Sequence, residues 1–361
     1  MPRPNRLSLL VPILLALMPT LATTAQTPVL VATPIAAPLR TIDRVALVTP
    51  ASRTNQGWDQ QAADAIEAVA AELGIAVEVA ESAGYDDITP ILQDLAANGA
   101  DLIICHASGY QTVCPEFAAA SGVAVAVVEN PAAVQPGLVA DIETQAQDAA
   151  YLAGILAGQV SQSGVVAIAV SGEPPTWNYM SVGFAEGLKA ARPEARLLYN
   201  VIGEAAYDDA AAAKRVVEQQ LAAGADIVFG QGDGASFGMI QAIAEHNAAL
   251  AAGDPQAWFI DVIGDKRAEH GDLLLSSVLF DYTALYRQLL LDRDAETFGA
   301  VATLTIANDG VRLLDPPATI PEAARQAVAE ARKGILDGEI TVSAIPAADA
   351  ARSRLEELFP G

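Results

Sequence analysis

From Arg44 onward, the chain alternates short apolar runs with longer amphipathic stretches. The apolar runs, such as RVALV, DLIIC and AVAVV, have the composition of buried strands. Between them lie stretches with apolar residues at helical spacing, for example WDQQAADAIEAVAAELG, which stops at a glycine. Repeated strand–helix–strand alternation predicts an α/β protein with parallel sheets that are covered by helices on both faces.

The same pattern is written twice. The first copy, GYDDITPILQDLAANGADLII, starts at Gly84, and the second, AYDDAAAAKRVVEQQLAAGADIVF, starts at Ala206. The strands and helices around the two copies correspond in order. This repeat predicts two doubly wound parallel-sheet lobes of similar plan.

The segment LLLSSVLFDY and the helix after it are predicted to return to the first lobe, so that the chain crosses between lobes more than once. Crossings near Val139–Thr144 and Leu274–Phe280 would form a hinge. Ligands of open α/β sheets bind beyond the carboxyl ends of the strands, so two such lobes favour closure around a small molecule. The predicted division is residues 42–140 with about 275–320 for the N-terminal lobe, 141–274 for the C-terminal lobe, and 321–361 for a C-terminal helix and tail.

The start of the chain is typical of an export signal. Residues 1–25 combine two arginines, an apolar stretch and a zone of small residues, which predicts a signal peptide. Residues 26–41 are rich in Pro and Ala and are predicted to be a tether. We therefore expect an exported protein, periplasmic or at the cell surface, with retention of the uncleaved start as an anchor left open.

Composition narrows the classes of partner. The 361 residues carry a formal net charge of -24, which argues against nucleic acid and anionic membrane surfaces as partners. Cys105 and Cys114 either form a short-loop disulfide or are simply buried. These cysteines and three scattered histidines lack metal-ligand spacing, so no metal is predicted.

The sequence contains no phosphate loop ending in Gly-Lys-Ser/Thr and no His-Glu-x-x-His. GQGDGA, at residues 230–235, fits a dinucleotide-binding pattern, but the acidic residue expected about twenty positions later comes roughly thirty positions later. We therefore expect neither a cofactor nor enzymatic activity.

The candidate ligand-binding residues follow predicted strands. Aromatic rings there can stack on a planar ligand, and carboxylates, amides and hydroxyls can hold its polar groups. The two Tyr-Asp-Asp copies are instead predicted to cap helices through their aspartates. The residues of the site predicted in this way are Asn55, Trp58, Asp59, Ser108, Glu129, Trp177, Tyr179, Met180, Asp233 and Asp265.

Several stretches together resemble the basic membrane protein (BMP) family, the substrate-binding proteins of ABC importers whose best-known branch binds purine nucleosides. They include DAAYLAGILAG, GVVAIAVSGEPP, VGFAEGLKAARPEARLLYN, AGADIVFGQGDGASFGMIQAIAE and LLSSVLF. The resemblance implies a type I periplasmic-binding-protein-like fold with a hinge, no catalysis, and an ABC-transporter permease as partner.

The resemblance also implies roles for single residues. It places a stacked base on Trp58 and hydrogen-bonding groups at Asp59, Glu129 and Asp265. The chain departs from the family where Phe is common and Met180 stands here, where Lys is common and Phe280 stands here, and in the absence of a lipid-anchor cysteine. At the Lys position Phe280 offers a further apolar face, so the resemblance adds Phe280 to the predicted site.

These observations predict a monomeric substrate-binding protein that captures a small planar or ribosylated ligand, with a purine nucleoside favoured. The alternatives are a ligand-binding sensor subunit, a receptor for a flavin, free base or sugar, and an NAD- or nucleoside-processing enzyme.

Overall fold

Two six-stranded sheets organise residues 42–361, the part of the chain that the computed structural model describes. The predicted signal peptide and tether lie outside these residues. The first strands and helices, in chain order, are β1 (Arg44–Val48), α1 (Trp58–Leu73), β2 (Ala76–Ala80), α2 (Thr89–Ala97), β3 (Leu102–Cys105), α3 (Val113–Ser121), β4 (Ala124–Val128) and β5 (Val139–Thr144).

The second half of the pattern follows directly. Its elements are α4 (Ala146–Val160), β6 (Val165–Val170), α5 (Pro175–Ala191), β7 (Arg196–Val201), α6 (Ala210–Ala222), β8 (Ile227–Gln231), α7 (Ala235–Ala249), β9 (Trp258–Ile263), α8 (Arg267–His270) and β10 (Leu274–Phe280). The chain ends with α9 (Thr283–Asp294), β11 (Val301–Leu304), β12 (Val311–Leu313), α10 (Glu322–Leu336) and α11 (Ala348–Leu358).

The two sheets share one plan. Their strand orders are β11-β5-β4-β3-β1-β2 and β12-β10-β9-β8-β6-β7, so corresponding strands occupy corresponding places. The strand pairs are parallel, except that β12 runs antiparallel to β10. The prediction of an α/β fold with two doubly wound lobes is therefore confirmed.

Strand position explains strand composition. Every residue of β3, β4, β8 and β10 is buried, because helices cover both faces of the inner strands. The edge strands β2 and β7 are partly exposed along their length. The continuous apolar runs of the sequence thus mark the inner strands.

Glycines bring α4 and α5 into close contact. A Cβ atom on Gly154 would lie 2.0 Å from the carbonyl oxygen of Phe184, and one on Gly187 would lie 2.0 Å from that of Tyr151. Only a residue without a side chain allows this approach. The glycines of AYLAGILAG and VGFAEGLKA therefore serve helix packing.

The chain crosses between the lobes after β5, after β10 and between β11 and β12. Helix α4 packs on α5, and α9 packs on α1 of the first lobe. β10 itself lies in the second sheet, whereas the sequence placed the segment from about residue 275 in the first lobe. It stays there because it pairs in parallel with β9 from Leu274 to Leu279. α10 packs on α4 and α11 on α5, so the C-terminal helices lie on the second lobe.

Candidate functional site

The loops that follow the carboxyl ends of both sheets meet in a cleft between the lobes. They enclose two adjoining chambers of about 280 and 450 Å³, within the size range of small-molecule sites. Both chambers are lined by Trp58, Tyr85, Glu204, Ala205, Tyr207 and Asp233. The first is completed by Ala107, Ser108, Gly109, Glu129, Pro174, Thr176 and Trp177, and the second by Pro50, Ala51, Asp59, Ala206, Asp208 and Asp209.

Trp58, the first residue of α1, is held from behind by His106. The two rings stack with centroids 4.4 Å apart, and the indole N–H donates to the His106 carbonyl oxygen over 2.9 Å. The His106 ring is buried and contacts the Tyr286 hydroxyl through Nδ1 at 3.2 Å. Burial lowers the pKa of His106 to about 3, so the ring is neutral. The tryptophan is therefore fixed in place by the protein itself.

Three further aromatic rings reach the cleft. The rings of Tyr85 and Tyr207 approach across it with centroids 6.1 Å apart, and Trp177 meets Tyr207 edge to face at 5.3 Å. Tyr85 leaves 54% of its surface exposed. Each tyrosine packs on a glycine of its own lobe: a Cβ atom on Gly109 would lie 2.7 Å from Tyr85 Cδ1, and one on Gly172 would lie 2.9 Å from Tyr207 Cε1. The cleft thus presents four aromatic side chains.

Tyr85 and Tyr207 are the tyrosines of the two Tyr-Asp-Asp copies, and they were not among the residues predicted to form the site. The repeat itself was the available signal, because equivalent loops of two similar lobes face each other. The capping interpretation holds for Asp209, which accepts from Ala212 N–H over 2.8 Å at the start of α6. Asp208 instead accepts from Gly234 N–H over 2.8 Å and holds the loop after β8.

Glu129, after β4, links the two lobes. One carboxylate oxygen accepts the Thr176 backbone N–H at 2.8 Å and the Thr176 hydroxyl, and the other accepts the Ser108 hydroxyl. Thr176 lies in the first turn of α5, where the helix dipole favours a negative charge. Glu129 adopts the left-handed φ of 59° to reach these groups, a conformation that costs a non-glycine residue about 1 kcal/mol.

Asp233, in the loop after β8, makes a second link. Its Oδ1 accepts the Trp58 backbone N–H at 2.9 Å, which joins the second lobe to the start of α1. Burial, with the negative charges of Asp59 and Asp208, raises the pKa of Asp233 to about 8 against the lowering effects of the Trp58 N–H and Lys266. The buried carboxyl is therefore costly to ionise in this geometry.

Asp59 lies beside it in the second chamber. Burial raises its pKa to about 6, although its oxygens accept Ala51 N–H at 3.2 Å and Asn55 Nδ2 at 2.7 Å. Asn55 also accepts from Gly57 N–H through Oδ1 at 3.1 Å. Asn55 therefore orients Asp59 from behind and does not itself line a chamber.

Of the predicted site residues, Trp58, Asp59, Ser108, Glu129, Trp177 and Asp233 line the cleft. Four others lie elsewhere, besides Asn55. Met180 is fully buried in the core, and Phe280 is buried behind Trp58 with ring centroids 6.2 Å apart. Tyr179 is partly buried on α5, and Asp265 ion-pairs with Arg267 at 2.7 Å outside the cleft. Their positions in the sequence place these residues near strand ends, but the direction in which each side chain points depends on tertiary packing.

A disulfide closes one wall of the cleft. Cys105 and Cys114 form a disulfide, and both residues are buried. The sequence left a disulfide and simple burial open as alternatives, and the structure shows both. The loop between them carries Ala107, Ser108 and Gly109, which line the first chamber. The disulfide therefore restrains a loop that lines the cleft.

Among residues 42–361, no group of three or more His, Cys, Asp or Glu side chains is arranged to hold a metal ion. Over the same residues, no helix has the length and apolar character needed to cross a bilayer.

A protein-family profile described as "ABC transporter substrate-binding protein PnrA-like", the Bmp family, matches residues 42–345. The chain belongs to the Bmp family. The resemblance stated from sequence is thereby confirmed, and a small-molecule ligand and a transporter permease are the partners that this family description implies.

Solved structures show that this Bmp-family chain has the type I periplasmic-binding-protein fold. An ABC-transporter solute-binding protein from Aeropyrum pernix K1 aligns with TM-score 0.77 and 20% identity over 87% of this chain and 97% of its own. A second ABC-transporter solute-binding protein, from Conexibacter woesei DSM 14684, aligns with TM-score 0.67 and 20% identity over 83% of this chain and 98% of its own. The arabinose-transporter binding protein of Shewanella sp. ANA-3, bound to L-arabinofuranose, aligns with TM-score 0.57 and 18% identity over 83% of this chain and 99% of its own. These identities show the fold alone. A search of curated protein sequences returned no significant match.

Proposed function

We propose that this Bmp-family protein is exported and captures a planar, ribosylated molecule of nucleoside size in the cleft for delivery to an ABC-transporter permease. The observation that carries the proposal is the combination of four aromatic side chains with carboxylates in two adjoining chambers. Aromatic rings bury and orient a flat heterocycle, and carboxylates accept hydrogen bonds from hydroxyls. The family's role in ABC transport supports the location outside the cytoplasm.

The lobes supply the means of capture. Glu129 to Thr176 and Trp58 to Asp233 are hydrogen bonds between lobes, and each includes a residue that lines the cleft. A ligand between the lobes would therefore be enclosed by groups that also hold the lobes together. Motion about the three crossings would open and close the cleft, as in other hinge-closing receptors.

Thermal unfolding of the purified protein against nucleosides, free bases, flavins, pentoses and NAD tests this function. A ligand that binds only the folded state, at a hundred times its dissociation constant, adds about 2.7 kcal/mol of stability. We expect stabilisation by nucleosides, lost in Trp58→Ala and retained in Trp258→Ala. Trp258 is a matched control because it starts β9, at the sheet end opposite the cleft. Stabilisation by a pentose alone, or equal loss in both variants, contradicts the proposal.

A further inference from the structure

The charges of the cleft are all of one sign. Six carboxylic side chains line its two chambers, and no lysine, arginine or histidine side chain does so among the described residues. The acidic residues are Asp59, Glu129, Glu204, Asp208, Asp209 and Asp233. None of the six forms an ion pair within residues 42–361. Their hydrogen-bond partners are backbone N–H groups, hydroxyls and the Asn55 amide.

The nearest buried cation does not neutralise them. Lys266 is fully buried and is bound by Asp261 at 2.5 Å, so its charge is already matched. Phe280, on β10 behind Trp58, adds an apolar ring on that side. Nothing in the cleft wall therefore compensates the carboxylates.

Asp233 is a buried carboxyl that forms no ion pair with the described residues. Its surface is only 7% exposed, and that surface faces both chambers. One oxygen accepts the Trp58 N–H, while Oδ2 accepts no hydrogen bond from the described residues. A buried carboxyl without a cation is unfavourable, and the rise of its pKa to about 8 agrees with this.

The aromatic side chains suit a positive charge as well. The faces of Trp and Tyr rings attract cations, most strongly where water is excluded. The negative field extends to these rings, since burial and the charges of Asp233 and Glu129 raise the pKa of the Tyr207 hydroxyl to about 12. The rings of Tyr85, Tyr207, Trp58 and Trp177 line the same chamber as three of the carboxylic side chains, Glu129, Glu204 and Asp233.

We propose that the ligand of this cleft is a positively charged planar heterocycle, such as a nucleoside whose ring bears a fixed or protonated cation. This inference rests on the proposed function and narrows its ligand class. The cation lies among the aromatic rings near Asp233, and hydroxyls of the same ligand bind the remaining carboxylates. A neutral nucleoside gives Asp233 no ionic partner, so the carboxyl stays protonated, no ion pair forms in the cleft, and the ligand binds more weakly.

Two pairs of probes isolate the charge. 1-Methyladenosine, cationic at pH 7, is compared with adenosine, and nicotinamide riboside, a pyridinium cation, with its neutral 1,4-dihydro form. Isothermal titration calorimetry at pH 7 measures each affinity for wild type, Asp233→Asn and Asp64→Asn. Asp64 is exposed on α1 and lies outside both chambers, so its amide variant controls for net charge.

In at least one pair we expect the cation to bind tenfold or more tightly than its neutral partner. Asp233→Asn should abolish most of that difference, and Asp64→Asn should keep it. If neutral nucleosides bind equally well or better and Trp58→Ala removes their binding, the charge inference is overturned while the proposed function stands. If neither these probes nor any nucleoside binds, both are overturned.

Discussion

Replacement of Asp233 by asparagine gives a direct test of the cleft geometry without any ligand. The carboxyl is 7% exposed, accepts the Trp58 N–H through Oδ1, and has the charges of Asp59, Asp208 and Lys266 around it. Asparagine has nearly the same shape and keeps an oxygen for the Trp58 N–H. The substitution therefore removes the ionisable proton and little else.

The direction in which stability changes with pH follows from proton binding to Asp233. In the folded protein the carboxyl keeps its proton up to about pH 8, whereas its ordinary pKa is 3.8. The unfolded chain therefore binds fewer protons between these values, and stability falls as the pH rises through this window. Above about pH 8 both states are ionised, and this contribution becomes constant.

The free-energy cost of Asp233 at pH 7 follows from the same two pKa values. From the ordinary pKa of 3.8 to pH 7 lie about three pH units, each worth about 1.36 kcal/mol, so keeping Asp233 in this site costs roughly 4 kcal/mol at pH 7. This is an upper limit, because separating the lobes rehydrates the carboxyl. At about 2 °C per kcal/mol, the amide variant gains up to about 8 °C in melting temperature.

The assay is chemical and thermal unfolding of wild type and Asp233→Asn from pH 4.5 to 8.5. We expect a difference in unfolding free energy below about 1 kcal/mol at pH 4.5 that grows in favour of the variant towards pH 8. Asp209→Asn serves as the control, since Asp209 is exposed in the second chamber and asparagine also caps helices. A difference that does not change with pH would refute the reasoning.

Two further predictions concern the fold around the cleft. Replacing both Cys105 and Cys114 by alanine, which opens a loop of sequence separation 9, should lower the unfolding free energy by about 2–3 kcal/mol; urea titration with and without reductant checks this, and a reductant effect that persists in the variant contradicts it. Gly264→Ala places a Cβ atom 2.3 Å from the Gln56 carbonyl oxygen of the other lobe, so the substitution should hinder closure of the two lobes. Calorimetry should then show weakened binding of a ligand in the cleft, with little change in the melting temperature of the ligand-free protein. Gly154→Ala, whose clash lies within one lobe, should instead lower that melting temperature, and the opposite pattern would contradict the assignment of these contacts.

The fold was largely predictable because its signals are local. Inner parallel strands are buried on both faces, so runs such as LIIC and AVAVV stand out without any tertiary information. The repeat predicted two lobes of one plan, and the sheet orders confirm it. The location of β10 was not predictable in this way, because an apolar run reads the same whichever sheet it joins.

The candidate site was predictable only in part. Trp58, Glu129 and Asp233 were found because they follow strands, and position along the chain is enough for that. Met180 was misplaced because its side of α5 faces the core, which depends on how the helix is rotated against its neighbours. Tyr85 was missed because its importance arises from Tyr207, which lies across the cleft and 122 positions later in the chain.

By itself, the sequence determined the strands, the helices and the duplication, since these depend on the period of apolar residues and on local steric limits. Only the tertiary structure decided which side chains enter the cleft, because that depends on how the two lobes meet. It also decided the electrostatics: Asp233 is an ordinary loop aspartate in the sequence, and only burial beside Asp59 and under the Trp58 N–H makes it costly to ionise. The electrostatic character of the cleft is therefore a property of the assembled lobes.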